Sequence, residues 1–323
     1  MKLHLRLLLV AACGLVGACA AGVEVRSPTA EPGLLAIRKA QASPTAPQSG
    51  ITTAETPMSG ETAPQSSPGP AGRAGATGVL DWTELPVLPE FNERARSLYT
   101  VGLGLGNEPA AFSRVGDGEV ASHWFLTAFA GPPASYDLGS YTDLASTIEY
   151  FHTAIARNSQ AARAGFNTAR ILDPAYADPE FCEAGESPLE CELRLNQPSF
   201  ALISLGTNQV WSPEAFESGL RQIIEILLDH SVLPILSTKG DNLEGDQRIN
   251  RIIVRLAQEY DLPLWNFWRS IQTLPDHGLQ PDQEHLTWGP NDFSDPEAMS
   301  RAWPVRNLTG LQILHEVMTE LSP

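Results

Sequence analysis

Positive charge is scarce in this sequence. Residues 77–323 carry 15 Lys and Arg against 34 Asp and Glu, a net charge of −19. A domain this acidic repels phosphate backbones, which sets nucleic acid aside as a partner; solubility accounts for most of the charge. Cysteine is also sparse, with four in 323 residues. None falls in a Cys-x-x-Cys pair, and the seven histidines form no His-x-x-x-His pair. The spacings expected of a zinc or redox centre are therefore missing, and no metal or cofactor is expected. Long apolar runs are absent too. The longest candidate, Leu7 to Val16, is too short to span a bilayer. No internal repeat is visible.

That short run has another use. Lys2 and Arg6 precede it, and the small residues Ala18-Cys19-Ala20 follow it, the layout of an export signal. Val16-Gly17-Ala18-Cys19 reads as a bacterial lipobox, which would lipidate Cys19 and make residues 1–19 the signal. Ordinary cleavage after the small residues is the alternative. Residues 20–78 are rich in Pro, Ser, Thr, Ala, Gly and Gln and poor in large apolar residues. Such a stretch cannot bury enough surface to offset its ordering entropy, so it is expected to be a disordered tether. The protein is then exported and extracytoplasmic, touching the membrane only through an N-terminal lipid. Cys182 and Cys191 lie nine residues apart in a Pro/Glu/Gly-rich segment. In an oxidising compartment they are expected to close a small disulfide loop.

Residues 79–323 are the right size for one α/β domain. Short apolar runs at Ala111–Val115, Phe200–Leu205, Val232–Leu236 and Leu262–Phe267 suit strands buried on both faces of a parallel sheet. Amphipathic stretches between and around them predict helices over Thr142–Ala156, Pro213–His230, Gly245–Tyr260 and Asn307–Leu321. Ser212 is placed to cap the second of these, with Pro213 at its first position. The alternation predicts a three-layer α/β/α sandwich on a parallel sheet. In such sheets, sites form at the carboxyl ends of strands.

Three segments occupy strand ends or late loops: Val115-Gly116-Asp117-Gly118, Gly206-Thr207-Asn208-Gln209, and Asp282-Gln283-Glu284-His285-Leu286-Thr287. Each alone is a common turn or a chance pairing. In this order and context they resemble the SGNH (GDSL) hydrolase superfamily. That family carries Gly-Asp-Ser after its first strand, an oxyanion glycine, Gly-x-Asn-Asp, and Asp-x-x-His near the C-terminus. Two positions depart from the pattern: Gly118 stands where the family keeps its serine, and Gln209 stands where it keeps the last Asp. The resemblance covers the chain from about Leu105 onward and implies a flavodoxin-like fold. It also implies that His285 is the base, that Asp282 orients it, and that Asn208 and Gly165 supply oxyanion donors. The ligand it implies is a small-molecule ester or acylated glycan.

Glycine has no hydroxyl, so no acyl-enzyme can form at residue 118. Three readings follow. The domain is a pseudoenzyme that binds a ligand in the old cleft; or His285 activates a water in the space of the missing side chain; or another hydroxyl serves, with Ser122 one helical turn on as the candidate and Ser113 a poor one. His123 beside Ser122 reads as an unrelated histidine. Lys239, after the third strand, is either a ligand contact or a solvated loop lysine. Trp268 and Trp288 flank the late loops, and Trp265 is expected in the core.

Overall fold

Side chains leave each central strand in alternating directions, and each direction meets a different core. In the computed structural model, which describes residues 81–322, Phe112, Phe200, Leu202, Leu233 and Ile235 enter one apolar cluster. Val115, Ala201, Ile203 and Leu236 enter another. Both faces of the sheet are therefore covered, which is why its strands read as nearly unbroken apolar runs. The elements follow in order as α1 (Glu93–Gly104), β1 (Glu108–Gly116), α2 (Gly118–Ala121), α3 (Leu144–Tyr150) and α4 (His152–Ala156). Then come α5 (Thr168–Leu172), α6 (Pro188–Asn196), β2 (Pro198–Ser204), α7 (Pro213–Asp229) and β3 (Leu233–Ser237). The chain closes with α8 (Arg248–Glu259), β4 (Leu264–Trp265), α9 (Phe267–Ile271) and α10 (Ala302–Glu316).

The four strands are all parallel and lie in the order β1-β2-β3-β4. Beyond β1, Ala162 makes a single parallel bridge to Gly116. The bridge occupies the place of the second strand in a 2-1-3-4-5 flavodoxin-like order, reduced to one residue pair. Helices α1, α3, α4 and α10 pack their apolar residues on the first face. Helices α5, α6, α7 and α8 pack theirs on the second, giving three layers. Helix α7 shows why: Phe216, Leu220, Ile223, Ile224 and Leu227 form one fully buried stripe at helical spacing. Each such side chain contributes about 1.5–3 kcal/mol when removed from water.

Several expectations need correction. The helix expected over Thr142–Ala156 is two, broken at Phe151. The strand expected over Leu262–Phe267 is only Leu264–Trp265, because Phe267 already begins α9. The last helix starts at Ala302, five residues before Asn307; Pro304 sits in its first turn, where a missing N–H costs nothing. Ser212 precedes α7, but its side chain caps nothing there. Cys182 and Cys191 form a disulfide that ties the segment before α6 to that helix. The expected signal, the Cys19 expected to carry a lipid and the expected tether lie outside the described residues. Among the described residues, no helix is long and apolar enough to cross a membrane.

Candidate functional site

Because all four strands run the same way, their carboxyl ends share one edge of the sheet, and the three sequence segments meet there. β1 ends at Gly116, and Asp117 caps the short helix that follows. Its Oδ1 accepts from the Glu119 N–H at 3.2 Å. The backbone must pass very close to β2 at this point. A Cβ on Gly116 would lie 2.0 Å from the Ser204 carbonyl oxygen, so only glycine fits. Two residues on, at Gly118, a Cβ would meet nothing within 4 Å. Crowding therefore does not account for the lack of a side chain at residue 118.

Gly118, Gly165, Asn208 and His285 all line one cavity of about 460 Å³, together with Glu119, Ser122, Trp124 and Trp303. His285 sits on a loop closed by an antiparallel bridge between Leu279 and Leu286, and by the Gln280 N–H donating to its carbonyl at 2.7 Å. Its Nδ1 is 2.8 Å from Asp282 Oδ2. Asp282 also accepts from the backbone N–H groups of His285 and Glu284. These bonds hold the Asp282 carboxyl down at about 2, and the bond to Asp282 raises His285 above its ordinary value. The pair is open to solvent rather than buried.

Gly165 adopts a left-handed conformation at φ +78°, just before Asn167 caps α5. The N–H groups of Gly118 and Gly165 donate to no other group among the described residues. Asn208 is more committed. Its amide donates to the Phe166 carbonyl at 3.2 Å and to Asp117 Oδ2 at 3.4 Å. Serving an oxyanion would mean giving up one of these, and the longer bond to Asp117 is the weaker. Gln209, which stands where an Asp was expected, accepts from the backbone N–H and hydroxyl of Thr168 and ties the β2 loop to α5.

The sequence reading missed what lies under the cavity. Arg306 of α10 is fully buried and pairs with Glu119 at 3.2 Å. Its guanidinium stacks over Phe267, Trp265 and Phe125, and donates to Ser204 Oγ at 2.9 Å. Burial still pushes Glu119 upward despite that arginine. Burial and the Glu119 charge lift Asp117 to about 7. Two poorly hydrated carboxyls thus flank Gly118. No local pattern announces this, since Arg306 lies far along the chain.

Lys239 is neither a ligand contact nor a solvated lysine. It is 1% exposed and pairs with Asp241 at 2.6 Å and Glu244 at 2.7 Å. Asp241 in turn accepts from the Thr207 hydroxyl at 2.6 Å, fixing the loop that carries Asn208. Ser122 ends α2, and its Oγ accepts from the Trp124 N–H at 3.1 Å while facing the cavity. Ser113 is buried and donates to Glu192 at 2.6 Å, away from the site. His123 stacks on Trp124. Trp124 and Trp288 meet edge to face at 5.7 Å and stay exposed near the cavity, Trp268 packs on Trp82, and Trp265 is in the core as expected.

No protein-family model matches the chain, and no curated protein does. Solved structures do resemble it. A GDSL-like lipase from Bacteroides thetaiotaomicron VPI-5482 is 14% identical, with 70% of this chain aligned to 99% of that one at a TM-score of 0.39. The acetylxylan esterase Axe2 from Geobacillus stearothermophilus, as a catalytic mutant, is 13% identical over 63% of this chain and 93% of its own, at 0.40. TesA is 14% identical over 66% and 99%, at 0.39. Superpositions this loose do not bear on substrate or catalysis. The structural neighbours of this chain are GDSL-like lipases and acetylxylan esterases, and its sheet and strand-end site stand on their own geometry.

Proposed function

We propose that this domain is an ester-hydrolase cleft of the SGNH type that has lost its covalent nucleophile and still takes an acyl ester or acylated glycan. One observation carries the reading. The open space beside Gly118 lies in the same cavity as His285, and His285 is already oriented by Asp282. A base, an orienting acid and two unspent backbone N–H groups are what acyl transfer needs apart from the nucleophile. Hydrolysis, where it occurs, runs through a water that His285 deprotonates as it attacks the ester carbonyl. Triad enzymes stripped of one member keep only about 10³–10⁴ over water, so turnover is slow. The second reading is a pure binding module. It is favoured by the Asn208 amide, whose hydrogen bonds to Asp117 and Phe166 would have to open for catalysis.

The test compares the chain as written with Gly118→Ser on aryl acetates and acetylated sugars. Turnover by both, lost on His285→Ala, supports hydrolysis through water. Turnover only with the serine supports a binding module in an intact cleft. No turnover and no ligand binding by either would sink both readings. We also propose that the domain is exported and held at the cell membrane by a lipid on Cys19.

A further inference from the structure

The cavity at Gly118 has a second arm. A neighbouring cavity of about 730 Å³ shares Gly118, Ser122 and Ala164 with the first, so the two adjoin around residue 118. Its lining includes two arginines, Arg114 and Arg163, in a protein whose net charge is −17.

Neither arginine has a carboxylate within ion-pair distance among the described residues, as is true also of Arg94, Arg170 and Arg301, whereas Arg96, Arg157, Arg194, Arg221, Arg248 and Arg255 all do. Arg114 is only 4% exposed. One of its terminal nitrogens donates to the Arg157 carbonyl, and its other N–H groups meet no acceptor among the described residues. Glu192 partly offsets the Arg114 charge but makes no ion pair with it and is committed elsewhere. It accepts from Arg157 at 2.6 Å, from Ser113 at 2.6 Å and from the Gln160 N–H at 2.8 Å. Burial and the adjacent Arg157 depress the Arg114 guanidinium to about 10. Arg163 is exposed, lies over the Phe166 ring at 5.1 Å and makes one 3.5 Å bond to the Tyr176 carbonyl. Among the described residues, the one carboxylate lining this arm is Asp178, whose Oδ1 accepts from the Glu180 N–H at 3.0 Å.

A buried guanidinium with no carboxylate in direct contact is poorly compensated, because its charge is held out of water. A chain with a large excess of acids has no shortage of partners to offer it. We infer that this second arm holds an anionic group of the ligand, a carboxylate or phosphate, between Arg114 and Arg163. The guanidinium fork suits both, since each presents paired oxygens to two N–H donors. The bound ligand then spans the cleft, with its ester at Gly118 and its charge in the second arm. The position of the ester rests on the function proposed above; the anion site rests on the two arginines.

The test uses the full chain and two ligands that differ in one group, 4-nitrophenyl β-D-glucuronide and 4-nitrophenyl β-D-glucoside, with inorganic phosphate as a third. Binding is measured by calorimetry at low and moderate salt. The glucuronide should bind at least about tenfold more tightly than the glucoside, and salt should erode the difference. Arg163→Gln, a change on an exposed loop, should remove most of that preference. Asp178→Asn should enlarge it, and this opposite sign separates charge from damage to the fold. Phosphate that binds with the same dependence on Arg163, while the glycosides bind alike, supports the site and assigns it to phosphate-bearing compounds.

Equal binding of the two glycosides with no phosphate binding would overturn the inference. So would an anion preference that neither substitution moves. The ester reading fails separately. If Gly118→Ser cleaves neutral acetyl esters but no anion preference exists, only the anion site is lost. If anions bind with the stated dependence while no variant cleaves or binds an ester, only the ester cleft is lost.

Discussion

Asp282 Oδ2 and His285 Nδ1 lie 2.8 Å apart, and the state of the first dictates the state of the second. With its carboxyl held at about 2, Asp282 is ionised throughout the neutral range and can only accept. The proton therefore sits on Nδ1 of neutral His285, and Nε2 is left as the basic atom. The bond also raises His285 above 6.5. A group raised in the folded state stabilises the fold fully below its unfolded pKa and loses that contribution as the pH climbs through the folded value. Both side chains are exposed, so the effect on stability is small and the titration itself is the useful readout. An imidazole resonance followed by NMR should titrate above 6.5 and move down in Asp282→Asn. An unchanged midpoint would mean that the pair does not form in solution.

Gly116 and Gly118 are two residues apart and should respond oppositely to alanine. At Gly118 the new methyl meets open space in the first turn of α2, so Gly118→Ala is expected to be neutral or to stabilise by about 0.5–1 kcal/mol. At Gly116 it would collide with the Ser204 carbonyl, and β1 would have to part from β2. That should cost about 3 kcal/mol or more. Urea unfolding of the two variants checks both. A destabilised Gly118→Ala would show that the space beside it is not open.

Lys239 should matter for stability more than for binding. Replacing it with Met leaves Asp241 and Glu244 buried without their cation, a loss of about 3–5 kcal/mol. Removing all three charges together, as Lys239→Met with Asp241→Asn and Glu244→Gln, should recover much of it. Thermal unfolding of the single and triple variants decides; equal losses would show that the lysine acts through packing rather than charge.

Cys19 is expected to carry the lipid. Cells producing the full chain and fed labelled palmitate should yield labelled protein in the membrane fraction, and Cys19→Ala should lose both the label and the location. An unlabelled wild-type protein free of the membrane would leave ordinary signal cleavage as the fate of residues 1–19.

The division between what could be read and what could not follows the range of the interactions. Strand cores and their turn residues are local: the alternation around Phe200–Ile203 and the stripe of α7 are periodic in the chain, so the parallel sheet and both helical layers were legible. Asn208, Asp282 and His285 stand out in the sequence for the same reason, because each ends or follows a local element. The short α5 and α9, and helices α1 and α6, escaped because tertiary packing selects them more than their own pattern does. The sequence by itself determined that residue 118 has no hydroxyl, and so excluded an acyl-enzyme there. Only the tertiary structure decided that this position opens on a shared cavity. It also decided that Lys239 is spent on a buried ion pair, that Arg306 pairs with Glu119, and that Arg114 and Arg163 line one cavity with no ion pair among the described residues. Each of these depends on which distant charges burial brings together, and burial is a property of the packed layers that no local run of residues records.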